Sequence, residues 1–374
     1  MPPLAAALLA LAIQSPSTVP YSRVQAASPD GKWFAWSLDD RSLHVCDLAK
    51  GRETYSLVNV ASSSPRGPAF VERIAWSPDS ARLALIGSDD DVWVFAAADG
   101  KVLARFGFGF PMPGDPDSIV SAHAAGLRFV EFLEGSSRLL IGGGDLRTSI
   151  LDAASGKPLF VGRARNPAGL CALAPDRKQF ALVQQDGTIT LHRSTDGEQQ
   201  GPSWRCKGTV HALAFDGSGS RLAVGGGGCK VQVFQIGKPD TPLELSLCDE
   251  DLTGKLEIGS VAFASDGRSL LATSFPWWVA RAWDLEKATV LWSHDCGGGD
   301  DAPTLAAFTG DPSVVFVGAQ GARLDRASGK VLSSLGKGQF RVQGNVCWTR
   351  ERDSFRIFDA RDGRLLADVP LTAR

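Results

Sequence analysis

Long apolar runs and an excess of either charge are both missing from this chain of 374 residues. The N-terminal apolar run, Leu4 to Ile13, is too short to cross a bilayer as a helix. Lys and Arg number 39 against 41 Asp and Glu, which gives a formal net charge of −2. A near-neutral chain offers no basic surface for nucleic acid or an anionic membrane. We therefore expect neither a nucleic-acid partner nor stable membrane insertion.

Signatures of metal binding and catalysis are also missing. No His-x-His or Cys-x-x-Cys spacing marks a metal site. The glycine runs at 142–145 and 225–228 lead into strand-like sequence rather than helices, which favours hairpin turns over phosphate loops. Ser218 lies in a turn without the spacing of a nucleophile elbow. We expect no cofactor, no metal and no catalytic residue, and so no enzyme.

The apolar run within residues 1–20 has the length of a signal-peptide core. Export to the periplasm or beyond is favoured over a cytoplasmic location, although no Lys or Arg precedes the run. The chain has seven cysteines, an odd number that does not describe a disulfide framework. Three unlinked thiols are the preferred interpretation of Cys206, Cys248 and Cys296. In an exported protein, Cys248 with Cys296 is the pair expected to bond.

A turn followed by an apolar run recurs along residues 21–374. The repeated phrases resolve into eight units that begin near Val24, Arg73, Leu127, Gly169, Val210, Gly259, Thr304 and Phe340. Each unit contains four short strand patterns separated by Asp, Gly and Pro turn residues, as in Pro78-Asp79-Ser80 and Asp186-Gly187. A repeated unit of four short strands is typical of a propeller blade. The sequence predicts an all-β fold, a single β-propeller of four-stranded antiparallel blades, with eight blades favoured over seven.

The units resemble the WD-repeat family. The matching residues are the Ser-Pro-Asp-Gly type turns at Ser28–Gly31 and Ser77–Ser80, the third-strand ending Ala282-Trp283-Asp284, and its echoes Cys46-Asp47, Leu151-Asp152 and Phe358-Asp359. The Gly-His pair that usually opens a WD repeat is missing, so the units are WD-like. The resemblance implies a propeller that serves as an interaction platform. A weaker resemblance, carried by 151–160, 283–292 and 324–335, points to quinoprotein-dehydrogenase repeats, but no two cysteines are adjacent and the quinone cofactor is not carried over.

Loop lengths are uneven in the predicted blades. The first-to-second and third-to-fourth turns are tight, whereas the long insertions fall in the links between units, at about 59–71, 107–125, 246–257 and 293–303. In an antiparallel four-stranded blade these links share one edge with the second-to-third turns. Long loops on a rigid scaffold are where binding usually resides.

Two patches on that edge are candidates for partner binding. The first is the apolar loop with Phe108, Phe110 and Met112, for which folding over its own blade is the alternative. The second combines acidic residues with two adjacent tryptophans at a hairpin tip: Asp249, Glu250, Asp251, Trp277, Trp278, His294, Asp300 and Asp301. Exposed aromatic residues ringed by charge are typical of interfaces. The alternative is that both tryptophan rings pack under the neighbouring link.

These observations favour a non-enzymatic propeller that binds a protein or peptide through the edge carrying the long links. A lactonase-like or quinoprotein-like enzyme with a site at a central channel mouth is the alternative. A structural module that assembles with itself or with a cell-envelope complex is a third hypothesis. The sequence leaves the partner and the oligomeric state open.

Overall fold

The fold is an all-β propeller of eight four-stranded antiparallel blades. A computed structural model describes residues 24–370 except for 38–41, 58–62, 65–66, 69–70, 88–90, 108–126, 144–145, 166–169, 185, 207, 248–255, 276–278, 297–305, 319–320, 337–339 and 352–353. Eight blades, rather than seven, confirm the preferred prediction. The described residues contain no α-helix and one 3₁₀ turn, Glu134–Ser136. The predicted signal-peptide segment, residues 1–20, lies outside the described residues.

The first four blades follow one another along the chain. Blade 1 contains β1 (Gln25–Ala27), β2 (Trp33–Ser37), β3 (Leu43–Asp47) and β4 (Arg52–Leu57), and a small hairpin follows, β5 (Ser63–Ser64) with β6 (Gly67–Pro68). Blade 2 contains β7 (Val71–Trp76), β8 (Arg82–Gly87), β9 (Asp91–Ala96) and β10 (Val102–Gly107). Blade 3 contains β11 (Phe129–Phe132), β12 (Arg138–Gly143), β13 (Leu146–Asp152) and β14 (Pro158–Arg165). Blade 4 contains β15 (Cys171–Leu173), β16 (Gln179–Val183), β17 (Thr188–Arg193) and β18 (Trp204–Arg205).

The last four blades have the same strand order. Blade 5 contains β19 (Val210–Phe215), β20 (Arg221–Gly226), β21 (Lys230–Gln235) and β22 (Lys238–Ser246). Blade 6 contains β23 (Glu257–Phe263), β24 (Ser269–Phe275), β25 (Val279–Asp284) and β26 (Thr289–Asp295). Blade 7 contains β27 (Ala306–Phe308), β28 (Val314–Val317), β29 (Ala322–Asp325) and β30 (Val331–Ser334). Blade 8 contains β31 (Phe340–Gln343), β32 (Val346–Arg350), β33 (Ser354–Asp359) and β34 (Leu365–Pro370).

The chain forms two compact units. The N-terminal unit comprises Thr18–Cys171 with Arg177–Gly201, and the C-terminal unit is built mainly from Pro202–Arg374. Apolar side chains fill the space between consecutive blades inside each unit. Val94 of blade 2 and Phe132 of blade 3 share one buried cluster, and Val233 of blade 5 and Trp283 of blade 6 share another. Strands with many Val, Leu and Phe residues are therefore buried on both sheet faces.

The tight turns share one edge of each blade, which we call the turn edge. The WD-like aspartates act locally there, because Asp47, Asp284 and Asp359 each accept a hydrogen bond from a backbone amide of the turn that follows. Serine closes the first-to-second turns in a similar way. The Ser28 hydroxyl accepts a hydrogen bond from the Trp33 amide at 2.9 Å, and the Ser77 hydroxyl accepts one from the Arg82 amide at 2.8 Å. Aspartate and serine recur in the turns because their side chains accept hydrogen bonds from backbone amides that have no partner in a neighbouring strand.

A repeated contact joins each of several blades to the next at the turn edge. The glycine of a third-to-fourth turn lies directly against a side chain of the preceding blade that belongs to the fourth strand or, for Leu335, directly follows it. The pairs are Tyr55 with Gly100, Phe106 with Gly156 and Phe160 with Gly197 in the N-terminal unit, and Trp292 with Gly329 and Leu335 with Gly363 in the C-terminal unit. Each of these glycines also has a positive φ, between 68° and 79°. Only glycine meets both the backbone and the steric requirement.

The fourth strands are sheet edges, and several begin with two adjacent exposed apolar residues. These pairs are Val102 with Leu103, Val290 with Leu291 and Val331 with Leu332, whose side chains are between 38% and 54% exposed. Lys101 and Lys330 directly precede two of the pairs. At two of these three edges, a lysine therefore lies next to the exposed apolar pair.

A buried carboxyl group lies at the junction of blades 3 and 4. Glu131, on β11, is 7% exposed, and its Oε2 has no hydrogen-bond partner among the described residues. Burial raises the pKa of Glu131 to about 7, although the charge of Arg177 opposes that rise. Arg177 is itself buried and donates a hydrogen bond from Nη1 to the carbonyl of Phe132. Arg177 has a left-handed backbone, with φ of 57°, in a turn position that is glycine in several other blades.

The glycine contacts lead to a first prediction. Gly197→Ala places a Cβ 2.2 Å from Cδ1 of Phe160, whereas Gly201→Ala, at a similar φ of 68°, meets nothing within 4 Å. Both variants incur the strain of a left-handed alanine, roughly 1–2 kcal/mol. Gly197→Ala should lose at least about 1 kcal/mol more because of overpacking. Urea unfolding of both variants measures the difference, and equal losses would show that backbone strain alone matters at Gly197.

The buried carboxyl leads to a second prediction. Between the ordinary pKa of a glutamate and about 7, the unfolded chain releases a proton that folded Glu131 keeps. The free energy of unfolding should therefore fall as pH rises from 5 to 7, by up to about 3 kcal/mol, and then level off. Glu131→Gln should abolish this slope. Glu134→Gln, whose wild-type side chain is 52% exposed, is the matched control and should retain it. Denaturant unfolding at several pH values would contradict the assignment if Glu131→Gln kept the wild-type slope.

Candidate functional site: the link edge of blades 5 and 6

The edge opposite the turn edge carries the second-to-third turns and the links between blades, and we call it the link edge. The strand bounds confirm the predicted asymmetry. In blades 1 and 2 the first-to-second turns run only from Ala27 to Trp33 and from Trp76 to Arg82. Four links are longer: 58–70, 108–128, 247–256 and 296–305. The link edge therefore carries most of the sequence that is not committed to the repeat.

Most of the predicted partner-binding residues lie in these links or in a turn that the described residues omit. Phe108, Phe110, Met112, Asp249, Glu250, Asp251, Trp277, Trp278, Asp300 and Asp301 are outside the described residues. Their roles stay predictions. His294 is described, and it belongs to β26 rather than to the link, which begins after Asp295.

His294 lies at the link edge of blade 6. In the sheet it is paired with Ala280, and its neighbour Asp295 is paired with Val279, the first residue after the predicted tryptophan tip. Its side chain is partly buried, and burial lowers the pKa of His294 against the opposing charge of Asp295. Burial therefore favours the neutral form of this imidazole.

Blades 5 and 6 are held together at this edge by polar contacts. Gly227, in the second-to-third turn of blade 5, forms an antiparallel bridge with Glu257 at the start of β23. Glu257 Oε2 lies 3.1 Å from Nε2 of His211 on β19. Arg281 of blade 6 donates from Nη1 to the carbonyl of Ser246 at 3.2 Å and from Nε to Ser293 Oγ at 2.7 Å. These contacts fix Ser246 and Glu257, the two residues that flank the 247–256 link.

A pocket of about 260 Å³ opens on blade 5 near the same edge. Its lining residues are Cys206, Thr209, Val210, Val224, Gly226, Gly227, Gly228, Lys230, Gln232 and Glu244. Lys230 Nζ lies 3.3 Å from Glu244 Oε2, and Gln232 donates to Glu244 Oε1 at 3.2 Å. Two valines, an ion pair and an amide together suit a ligand with both apolar and polar groups.

Glycines make room for this pocket. A Cβ on Gly226 would lie 1.9 Å from the carbonyl oxygen of Thr209, so no larger residue fits there. A Cβ on Gly227 or Gly228 would meet nothing within 4 Å. Gly225 and Gly226 end β20, and Gly227 and Gly228 lie in the hairpin turn that the sequence predicted for this run.

The pocket residues Lys230, Gln232 and Glu244 were missed by sequence reasoning. In the stretch from Lys230 to Phe234, polar and apolar residues alternate, which places Lys230 and Gln232 on one sheet face. Glu244 is brought opposite Gln232 only by the register of β21 with β22. The alternation was a usable signal, but the register was not readable from sequence.

The cysteines correct one prediction. Cys296 is a free, buried thiol, in agreement with the preferred interpretation, so the alternative pair of Cys248 with Cys296 is wrong. Cys206 is also free, and burial raises the pKa of both thiols to about 12, which keeps them protonated at neutral pH. Cys229 is disulfide-bonded instead. Sequence reasoning missed Cys229 because it lies in a short turn rather than in a link.

No group of three or more His, Cys, Asp or Glu residues in the described ranges is arranged to hold a metal ion. Within the same ranges, no helix has the length and apolar character needed to cross a bilayer.

Comparison with known proteins adds no family assignment to this geometry: no protein-family model matches the chain, and no curated protein matches it significantly.

Proposed function

We propose that this protein is a non-enzymatic, WD-like propeller that acts as an interaction scaffold and binds a protein or peptide through its link edge. The asymmetry between the two edges of the blades carries this proposal. Seven of the eight first-to-second turns contain five residues, whereas the long links lie at the opposite edge of their blades. A rigid scaffold with variable loops on one edge is the usual arrangement of a binding surface.

The side-chain chemistry of the two edges supports the same conclusion. At the turn edge, aspartate and serine side chains are used up by hydrogen bonds to their own turns, as at Asp152 with Ser155 and Asp325 with Ser328. At the link edge of blade 5, by contrast, Lys230 and Glu244 are partly exposed and border a pocket. Polar groups that are exposed next to a pocket are available to a partner.

The pocket on blade 5 is the proposed point where one side chain of the partner enters. Val210 and Val224 give it an apolar part, and the Lys230–Glu244 pair gives it charges of both signs. A Cβ at Gly227 or Gly228 would meet nothing within 4 Å, so an extended peptide can approach the chain closely there. A peptide partner therefore fits this site better than a compact anionic ligand does.

The proposal predicts that Lys230→Glu reduces recovery of the partner at least tenfold, because it places two carboxylates beside the pocket. Lys330→Glu, an exposed reversal of the same charge at the turn edge, is the matched control and should leave recovery unchanged. Quantitative affinity purification from the native host measures both. A chain with the 108–126 link shortened should also lose part of its partner set. Identical partner sets for all four chains would contradict the proposal.

A further inference from the structure

The pocket on blade 5 has a polar wall made by two adjacent strands. Lys230 and Gln232 lie on β21, and Glu244 lies on β22, the outer strand of the blade. Each carboxylate oxygen of Glu244 accepts one hydrogen bond, from Lys230 Nζ at 3.3 Å and from Gln232 Nε2 at 3.2 Å. The wall therefore compensates its own charges, because the ammonium group of Lys230 lies beside the carboxylate of Glu244.

The contact with Glu244 orients the side-chain amide of Gln232. Its nitrogen faces the carboxylate, because an amide oxygen in that place would set two acceptors against each other. Gln232 Oε1 then remains as an acceptor, and no hydrogen bond to it comes from the described residues. Lys230 has three N–H donors and uses one of them on Glu244. The pocket thus offers an acceptor and a donor on neighbouring side chains.

The other walls of the pocket carry no charge. Val210 and Val224 are 5% and 3% exposed and form an apolar side. Cys206 is a free thiol, and burial raises its pKa to about 12, so it stays protonated at neutral pH. An anionic guest would meet Glu244 as well as Lys230, and a cationic guest would meet the same pair with the signs reversed. A neutral guest avoids this conflict.

Among neutral side chains, a carboxamide matches the polar wall best. Its oxygen can accept from Lys230 while its nitrogen donates to Gln232 Oε1, so both groups are satisfied at once. A hydroxyl has a single oxygen with a single proton, and a hydrocarbon would leave both groups without a partner once water is displaced. Glutamine has one methylene more than asparagine and covers more of the apolar side formed by Val210 and Val224.

We propose that the pocket on blade 5 is a glutamine-selective subsite that receives the carboxamide side chain of an extended peptide segment of the partner. This inference rests on the proposed function, since it names the side chain that enters the pocket. The chain beside the pocket permits the approach, because a Cβ at Gly227 or Gly228 would meet nothing within 4 Å. The partner recognised in this way carries an exposed glutamine in extended backbone.

A peptide array tests the selectivity directly. Each spot carries short peptides with one amino acid fixed at the central position and with randomised flanking positions that exclude cysteine. The purified full chain should bind the glutamine spots about tenfold more strongly than spots with glutamate, lysine or leucine at the centre, because only glutamine makes both hydrogen bonds. Equal binding to all four sets would overturn the subsite.

Two substitutions should change the preferred side chain in opposite directions. Gln232→Glu adds a second carboxylate beside Lys230, so the wall becomes negative and should prefer lysine. Glu244→Gln removes the counter-charge of Lys230, so the wall becomes positive and should prefer glutamate. Gln235→Glu, an exposed substitution on the same strand outside the pocket, is the matched control and should keep the preference for glutamine.

The Tm of each variant separates altered selectivity from loss of folding, and all three should melt close to the wild type because the substituted side chains are at least partly exposed. If both pocket variants fold and still prefer glutamine, Lys230, Gln232 and Glu244 do not select the side chain and the subsite is refuted.

The subsite and the scaffold fail separately. If glutamine is not selected, but purification from the native host recovers a partner that Lys230→Glu loses, the scaffold stands and the glutamine subsite is refuted. If glutamine is selected and both variants change the preference as expected, but no partner is recovered from the host, the subsite stands and the interaction scaffold is refuted.

Discussion

The contact between a fourth-strand side chain and the turn glycine of the next blade is the interaction on which each unit depends. Ladders of backbone hydrogen bonds hold the four strands of a blade together, whereas single hydrogen bonds, such as that from Arg281 to Ser246, join one blade to the next. Where Phe160 lies on Gly197, or Trp292 on Gly329, the close approach sets the distance between neighbouring blades. In the first case the backbone carbonyl of Gly197 also accepts a hydrogen bond, at 2.9 Å, from Nδ1 of His192. Side-chain size on one blade and the lack of a side chain on the next are thus complementary.

This constraint explains why the two edges of a blade differ. Turns on one edge are bound by glycine, aspartate and serine to a fixed length and geometry. The opposite edge is free of that requirement, so long links can be accommodated without disturbing the contacts between blades. The pocket on blade 5 and the Cys229 disulfide both occur at the unconstrained edge. The sequence of the links can therefore vary while the repeat is retained.

The sequence predicted the repeat, the number of blades and the edge with long links, because turn residues and apolar alternation are local signals. It could not predict which residues meet across strands or blades. Glu244 joins Lys230 and Gln232 only through strand register. The buried pair of Glu131 and Arg177 depends on packing between blades, and the sequence offered just one hint, an arginine in a turn position that is glycine in several other blades. The pairing of Cys248 with Cys296 was wrong because only cysteines in neighbouring links were considered for a disulfide, and Cys229, in a shorter turn, was not.

The exposed apolar pairs at the start of the fourth strands have a consequence for how the molecule behaves at high concentration. A fourth strand is an edge with unpaired backbone groups, and an edge that also exposes Val331 and Leu332 is a template for a strand of another molecule. The lysine before the pair, Lys330, places a positive charge where a second copy would bring an identical one. Edge-to-edge aggregation is thereby opposed by charge rather than by burial, so colloidal stability should decrease as salt screens the lysines.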